Sequence, residues 1–214
     1  MKQKRSLHLL YYQPETGQHV QFWHAPELAK FTAQLQHLSE KEIRNISGTL
    51  VIKENRHRTI YRALLPFSET PVLIKTFRFP SLRRAFRGYV NSYAVQELNH
   101  AMEAKKRGIP IALPLFFLQK RKGWKITTSL IGYRFLEGSS LHVYLSSKEA
   151  MPYEKRLKLL RNTGEFTALL HNQGGVHDDY HAENLMILRE GTIALIDLYP
   201  LSFRSRLSEK DRVK

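Results

Sequence analysis

Three short runs rich in apolar and β-branched residues, Gly48–Lys53, Thr59–Leu65 and Pro71–Phe77, are separated by polar turns at Glu54–His57 and Ser68–Thr70. Such runs bounded by turn residues predict an antiparallel meander. The pattern then changes. From Asn91 to Arg107 apolar positions recur at Ala94, Leu98, Ala101 and Met102, and the run stops at Gly108 with Pro110 behind it. That is the pattern of a helix closed by a C-terminal glycine. Ile111–Leu118 and Gly123–Leu130 return to strand, joined by the basic turn Gln119–Lys122. Tyr153–Asn172 predicts a long helix whose apolar side is lined by Leu157, Leu160, Gly164, Thr167, Ala168 and His171, ending at Gly174–Gly175. Leu185–Leu188, a turn at Glu190–Gly191, and Thr192–Ile196 then read as a β-hairpin. Ahead of these elements, residues 1–44 show one short helical pattern, Pro26–Leu38, with proline in its first turn.

Five strands followed by helical sequence predict an α+β fold of two lobes. Residues 1–44 form an N-terminal extension whose helix packs outside the first lobe. Residues 45–131 form a small lobe around an antiparallel five-stranded sheet, and residues 132–214 a reduced helical lobe, with Leu130–Gly138 as the connector.

Composition narrows the partners. The 214 residues are 42% hydrophobic and 25% charged, ordinary for a globular chain. No apolar run approaches the roughly 20 residues that span a bilayer, and the basic start at Met1–Arg5 lacks the apolar stretch and cleavage site of a signal peptide. There is no cysteine, hence no disulfide and no thiolate metal site, as suits a reducing cytoplasm. A formal charge of +15 favours anionic partners: anionic lipid, a phosphorylated or acidic sugar, or nucleic acid. No aromatic-rich RNA-binding signature or finger motif supports the last, and no nucleic acid is expected. Leu82, Ala85, Phe86 and Tyr89 share one face of a stretch whose other side carries Arg83, Arg84 and Arg87. Such a stretch suits anionic headgroups or acidic substrate groups, and equally a solvated face.

The chemistry concentrates in residues 176–198. His177 lies two residues before Asp179, Asn184 five after it, and Asp197 at the end of the hairpin's second strand. Phosphoryl transfer needs a carboxylate to orient an attacking hydroxyl and take its proton. It also needs hard oxygen donors for Mg²⁺ beside the nucleotide phosphates. The intervals match the kinase catalytic loop and the magnesium-binding aspartate beyond it, with Asp197-Leu198-Tyr199 in place of D-F-G. Asp179 is therefore the candidate catalytic base, and Asn184 and Asp197 the candidate metal ligands. His177 and His181 are read as structural residues at the site. Lys75, late in the third strand, pairs in this reading with Glu97 on the face of the following helix and holds the ATP phosphates. The first strand turn has no glycine, so Asn55 and Arg56, with Arg58 beside them, would contact phosphate there. Two other readings remain open at this point: a transition-metal hydrolase cluster built from His177, Asp178, Asp179 and His181, and a polar loop that only caps the hairpin.

Taken together, Lys75, the basic segment Phe79–Tyr89, Lys105-Lys106-Arg107-Gly108-Ile109-Pro110, His177-Asp178-Asp179-Tyr180-His181, Asn184 and Ile196-Asp197-Leu198 resemble the lipopolysaccharide kinases. These are the Kdo- and heptose-kinase group of protein-kinase-like sugar kinases. The resemblance implies a protein-kinase-like fold and transfer of the ATP γ-phosphoryl to a hydroxyl of an inner-core sugar of lipopolysaccharide. ATP and Mg²⁺ would be the cofactors, the lipopolysaccharide core or lipid A precursor the acceptor. The implied location is the cytoplasmic face of the inner membrane, bound peripherally to its anionic surface. Small-molecule and protein kinases of the same superfamily share the loop. Asp178 and the glycine-free turn also suit a nucleotide-binding or membrane-associated scaffold without catalysis.

Overall fold

The computed structural model describes residues 9–13, 16–79, 92–147, 151–205 and 207–212. The basic stretch expected around Arg83–Arg87 lies outside them. The chain divides into two compact units, Met1–Leu98 with Leu113–Phe135 and Asn99–Ala112 with Leu136–Lys214. The sequence pattern had placed the division between residues 131 and 132.

The first unit is built on a seven-stranded antiparallel sheet in the order β1-β2-β6-β7-β5-β4-β3. Its strands are β1 Leu9–Gln13, β2 Gln18–His24, β3 Leu50–Glu54, β4 Arg58–Ala63, β5 Val72–Phe77, β6 Pro114–Lys122 and β7 Lys125–Arg134. The five expected strands are β3 to β7. The two added strands correct the reading of residues 1–44 as an extension with one helix. β2 pairs along β6, Phe22 opposite Leu118 and Trp23 opposite Phe117, so the extension lengthens the sheet.

Between β2 and β3, a 3₁₀ turn at Pro26–Phe31 leads into α1 (Thr32–His37) and α2 (Glu40–Asn45). Ser39 caps α2, its hydroxyl accepting from the Glu42 N–H. Leu35, Leu38 and Ile43 from this segment join Val20, Phe22, Tyr61, Ala63, Val72, Ile74, Phe116 and Leu118 in one apolar cluster against a single face of the sheet. Each such side chain taken fully out of water stabilises the unit by about 1.5–3 kcal/mol. In β7, Gly132 sits opposite Phe116, and a Cβ there would lie 2.3 Å from the Phe116 ring. Only glycine leaves room for that aromatic.

The opposite face carries Lys75. In β5, Val72, Ile74 and Thr76 are on the apolar-cluster side and Lys75 points the other way, beside Ile131 of β7. Helix α3, Tyr93–Lys106, meets this face with Ala94, Glu97 and Leu98. It ends as its sequence predicts: Gly108 is at φ 71°, and the Ile109 N–H returns to the Ala104 carbonyl.

The second unit has a three-stranded sheet of β8 (Gly138–Ser140), β10 (Leu185–Leu188) and β11 (Ile193–Leu195), and a two-stranded ribbon of β9 (Gly175–His177) with β12 (Leu201–Phe203). Short α4 (Leu141–Ser146) and α6 (Glu209–Arg212) flank the long α5, Tyr153–Asn172. In α5 the buried residues are Leu159, Phe166 and Leu170. The apolar side expected from the sequence, with Leu157 and Leu160, is exposed instead. Two apolar stripes compete on this helix, and the one that reaches β9 and β11 wins the core.

A charged cluster pins α2 to the meander. Arg78 reaches Glu40 and Glu54, Arg44 reaches the same two carboxylates, and the Tyr61 hydroxyl donates to Glu40 at 2.8 Å. Burial alone would push the Glu40 carboxyl up, but the hydrogen bonds from Arg78, Tyr61 and Arg44 outweigh it and bring its pKa from 4.5 down to about 2. The folded form therefore gains stability that is fully present above about pH 4.5 and lost as pH falls toward about 2. Urea unfolding from pH 6 to pH 3 should show a steeper loss for the wild type than for Glu40→Gln. The expected difference is about 1–2 kcal/mol once solvent screening of this half-open cluster is allowed for. Parallel pH curves for the two proteins would refute the assignment.

Candidate active site

Each unit holds its own set of the residues singled out in the sequence. In the first, the Lys75 ammonium donates to Glu97 Oε1 at 2.5 Å, with only 4% of Lys75 and 1% of Glu97 exposed. The strand register puts Lys75 on the face that α3 covers, and the helix period puts Glu97 between Ala94 and Leu98 on its packed side. Lys75 Nζ also lies 5.5 Å from the centre of the Tyr133 ring. Sequence reasoning did not find Tyr133. The strand period puts Tyr133 on the face of Ile131, but only the pairing of β7 with β5 brings that face to Lys75. The second carboxylate oxygen of Glu97 is buried and accepts no hydrogen bond among the described residues. Lys75 and Glu97 are thus brought together, with acceptor capacity to spare.

Asn55 and Arg56 sit at the tip of the β3–β4 hairpin. The Asn55 side-chain oxygen accepts from the backbone N–H groups of His57 and Arg58 at 2.8 and 2.9 Å, closing the turn on itself. The Asn55 carbonyl accepts from Arg78 at 3.4 Å. The amide oxygen of Asn55 is therefore committed to the turn, and Arg56 is its exposed group.

In the second unit, β9 delivers the chain into His177, Asp178 and Asp179. His177 is buried, and its Nε2 lies 2.9 Å from the Asp197 carbonyl oxygen, to which it donates. The imidazole thus ties the start of the loop to the residue after the hairpin. Among the described residues, no group of three or more histidine, aspartate or glutamate side chains is placed to hold a metal ion. Asp179 is largely exposed, with His181 Nε2 at 3.3 Å from its Oδ2. His181 caps the 3₁₀ turn Ala182–Asn184, accepting at Nδ1 from the Glu183 N–H, and its Nε2 lies 3.2 Å from Asn184 Nδ2 as well as beside Asp179. Asn184 donates through Nδ2 to the Asp179 carbonyl at 2.9 Å. That orients its side-chain oxygen as an acceptor with no competing bond among the described residues.

The hairpin β10–β11 holds Asn184 and Asp197 at its two ends. Leu185 pairs with Leu195, and the Ile196 N–H donates to the Asn184 carbonyl at 2.9 Å. Asp197 follows at φ 56°, the one described non-glycine residue in the left-handed region. Such a conformation costs an L-residue about 1–2 kcal/mol, less for aspartate, so the surroundings hold it there. The next carbonyl, Leu198, lies 3.0 Å from His100 Nδ1. An amide oxygen and a carboxylate at neighbouring backbone positions are hard oxygen donors, and this donor set suits Mg²⁺ rather than a softer metal.

A profile of the lipopolysaccharide kinase (Kdo/WaaP) family matches residues 82–214. The match takes in Glu97, His177, Asp179, His181, Asn184 and Asp197; Lys75 precedes it. The KEOPS complex subunit Bud32 of Pyrococcus abyssi (strain GE5 / Orsay) is 30% identical over 158 residues, covering 69% of this chain and 64% of that protein. The chain thus spans just under two thirds of that relative's length.

Two variant sets test the geometry. Lys75→Ala should destabilise by about 3–5 kcal/mol, because it strands the Glu97 carboxylate in the core, and Lys75→Met with Glu97→Leu should recover most of that loss. Chemical denaturation reads both; equal stability of Lys75→Ala and wild type would show that the pair is not buried in solution. Asp197→Gly should be more stable than Asp197→Ala by about 1 kcal/mol, since both lose the carboxylate and only glycine adopts this backbone freely. Equal stability of the two variants would mean that the left-handed backbone is not kept in solution.

Proposed function

The chain belongs to the lipopolysaccharide kinase (Kdo/WaaP) family, and from that premise we propose that it transfers the γ-phosphoryl group of ATP to a sugar hydroxyl of the lipopolysaccharide inner core, a Kdo or heptose. The observation that carries the reading is the buried Lys75–Glu97 bond. A buried ion pair adds little to stability over an apolar pair of the same volume, so its presence is best explained by what the ammonium does.

In this proposal Lys75 holds the nucleotide phosphates and Glu97 fixes the lysine. Asn184 Oδ1 and the Asp197 carboxylate would hold Mg²⁺, which supplies charge neutralisation at the β- and γ-phosphates when bound. The acceptor oxygen forms a bond to the γ-phosphorus as the bond to the bridging oxygen breaks and ADP leaves. Asp179 orients the hydroxyl and takes its proton late in that step. His181 Nε2 and the Asn184 amide set the rotamer of the Asp179 loop, and His177 ties that loop to Asp197. The acceptor class and a location at an anionic membrane surface are parts of the same proposal. They draw support from the family and from the +15 charge.

A second reading has one observation in its favour. The similarity to a protein named as a complex subunit suits a chain that works within a larger assembly, binding nucleotide or phosphorylating a protein.

Incubation with γ-labelled ATP, Mg²⁺ and a purified inner-core acceptor should label the sugar. Asp179→Asn should lower that rate by about 10²–10⁴-fold while leaving nucleotide binding by thermal shift intact. Label appearing on protein and never on the sugar would overturn the sugar-kinase reading in favour of the second.

A further inference from the structure

Helix α5 has two apolar stripes and buries one of them. Leu159, Phe166 and Leu170 face the second unit's core, while Tyr153, Leu157 and Leu160 are 73%, 40% and 50% exposed. These three recur at intervals of four and three residues, so they form one continuous line along the helix, extended by Gly164. Arg156 and Arg161 flank that line on either side, both exposed. Exposed Lys155 and Lys158 add charge against the single acidic Glu154 in this part of the helix.

We propose that this stripe is the surface by which the chain rests on an anionic membrane. Apolar side chains bracketed by arginines match the depth profile of a lipid interface. Leucine and tyrosine enter the acyl boundary while the guanidinium groups meet phosphate, their stems lying along the apolar surface. An apolar partner face would not call for cations on both sides, whereas acidic headgroups do.

A second observation ties this face to the site. Thr167 lies two turns beyond Leu160 on the same side of α5, and its hydroxyl is 2.7 Å from the Tyr180 hydroxyl. Tyr180 directly follows Asp179 in the chain. The stripe therefore runs along the helix toward the loop that carries the proposed base, as a face presenting a lipid-borne hydroxyl to that loop would. The inference rests on the membrane part of the proposed function and adds the surface that performs it.

The test uses the full chain with vesicles of phosphatidylethanolamine and phosphatidylglycerol, read by co-sedimentation, and in parallel transfer from ATP to a deacylated, water-soluble core sugar. Tyr153→Ser with Leu157→Ser and Leu160→Ser should weaken vesicle binding by at least about tenfold. Arg156→Gln with Arg161→Gln should weaken it by about 25-fold, roughly fivefold for each cation removed from an anionic surface. Both variants should keep wild-type thermal unfolding and wild-type transfer to the soluble sugar. Vesicle binding that neither variant changes would overturn the assignment of this face and leave membrane association standing. Soluble-sugar transfer without any vesicle binding would sink the membrane reading and spare the catalytic one. A concentration-dependent dimer dissolved by the serine variant, or capture of an acidic protein that competes with vesicles, would assign the stripe to a protein partner and overturn the lipid one.

Discussion

A lysine and a glutamate that are both out of water have to meet, because either one alone would cost several kcal/mol. Nothing local forces the meeting between Lys75 and Glu97. It requires β5 to sit in the sheet with Ile74 facing the apolar cluster, so that Lys75 faces away from it. It also requires α3 to present Glu97 between Ala94 and Leu98 at the same height. A slip of one residue in β5 would turn the ammonium into the apolar cluster and Ile74 toward α3. The pair thus acts as a register lock, and most of the first unit's order can be read as what keeps it closed. The segment of α1 and α2 seals the other face of the sheet, so that the apolar set in β4 and β5 has one place to go.

The residues proposed for transfer were legible because they are local. His177, Asp179, Asn184 and Asp197 fall within 21 residues of sequence, and the hairpin that spaces them is coded by two short apolar runs around a turn. Short-range turn chemistry and strand period suffice to place them. Lys75 and Glu97 were legible for another reason: a charged residue on an otherwise apolar helix face has to be compensated. Tyr133 and the Glu40–Arg78 cluster were not, because their partners come from strands far apart in sequence and depend on sheet order. The Glu40 carboxylate, for example, draws on Arg44, Tyr61 and Arg78, which no single stretch brings together.

The N-terminal strands and α5 show two further ways in which a sequence under-specifies. β2 does alternate, with Val20 and Phe22 buried, but a strand of this length acquires its identity from the edge it joins. That edge, β6, lies about 100 residues away in the chain. In α5 the periodicity is right and the face is wrong. Leu157 and Leu160 make as good an apolar line as Leu159, Phe166 and Leu170, and only tertiary packing chooses between them. The helix was therefore readable as a helix, but its orientation was not. The losing stripe is flanked by exposed Arg156 and Arg161, and the membrane proposal rests on that pairing of apolar and cationic side chains.

Charge distribution carries the last step. A chain of net charge +15 keeps a short acidic stretch, Asp178, Asp179, Glu183 and Asp197, on the loop and hairpin end of its second unit. Asp197 is held there in a strained backbone conformation. In the proposed mechanism a divalent cation would offset part of this negative charge, and oxygen donors at Asn184 and Asp197 suit it. On the proposed function, a bound cation would lessen the repulsion of phosphate, and the net positive charge of the chain would favour an anionic nucleotide and acceptor. The membrane proposal draws on the same preference, since the exposed stripe of α5 is flanked by arginines rather than by carboxylates. On the proposed function, cations on that face would meet the anionic surface that holds the acceptor, and the carboxylates of the loop would serve the metal and the proton.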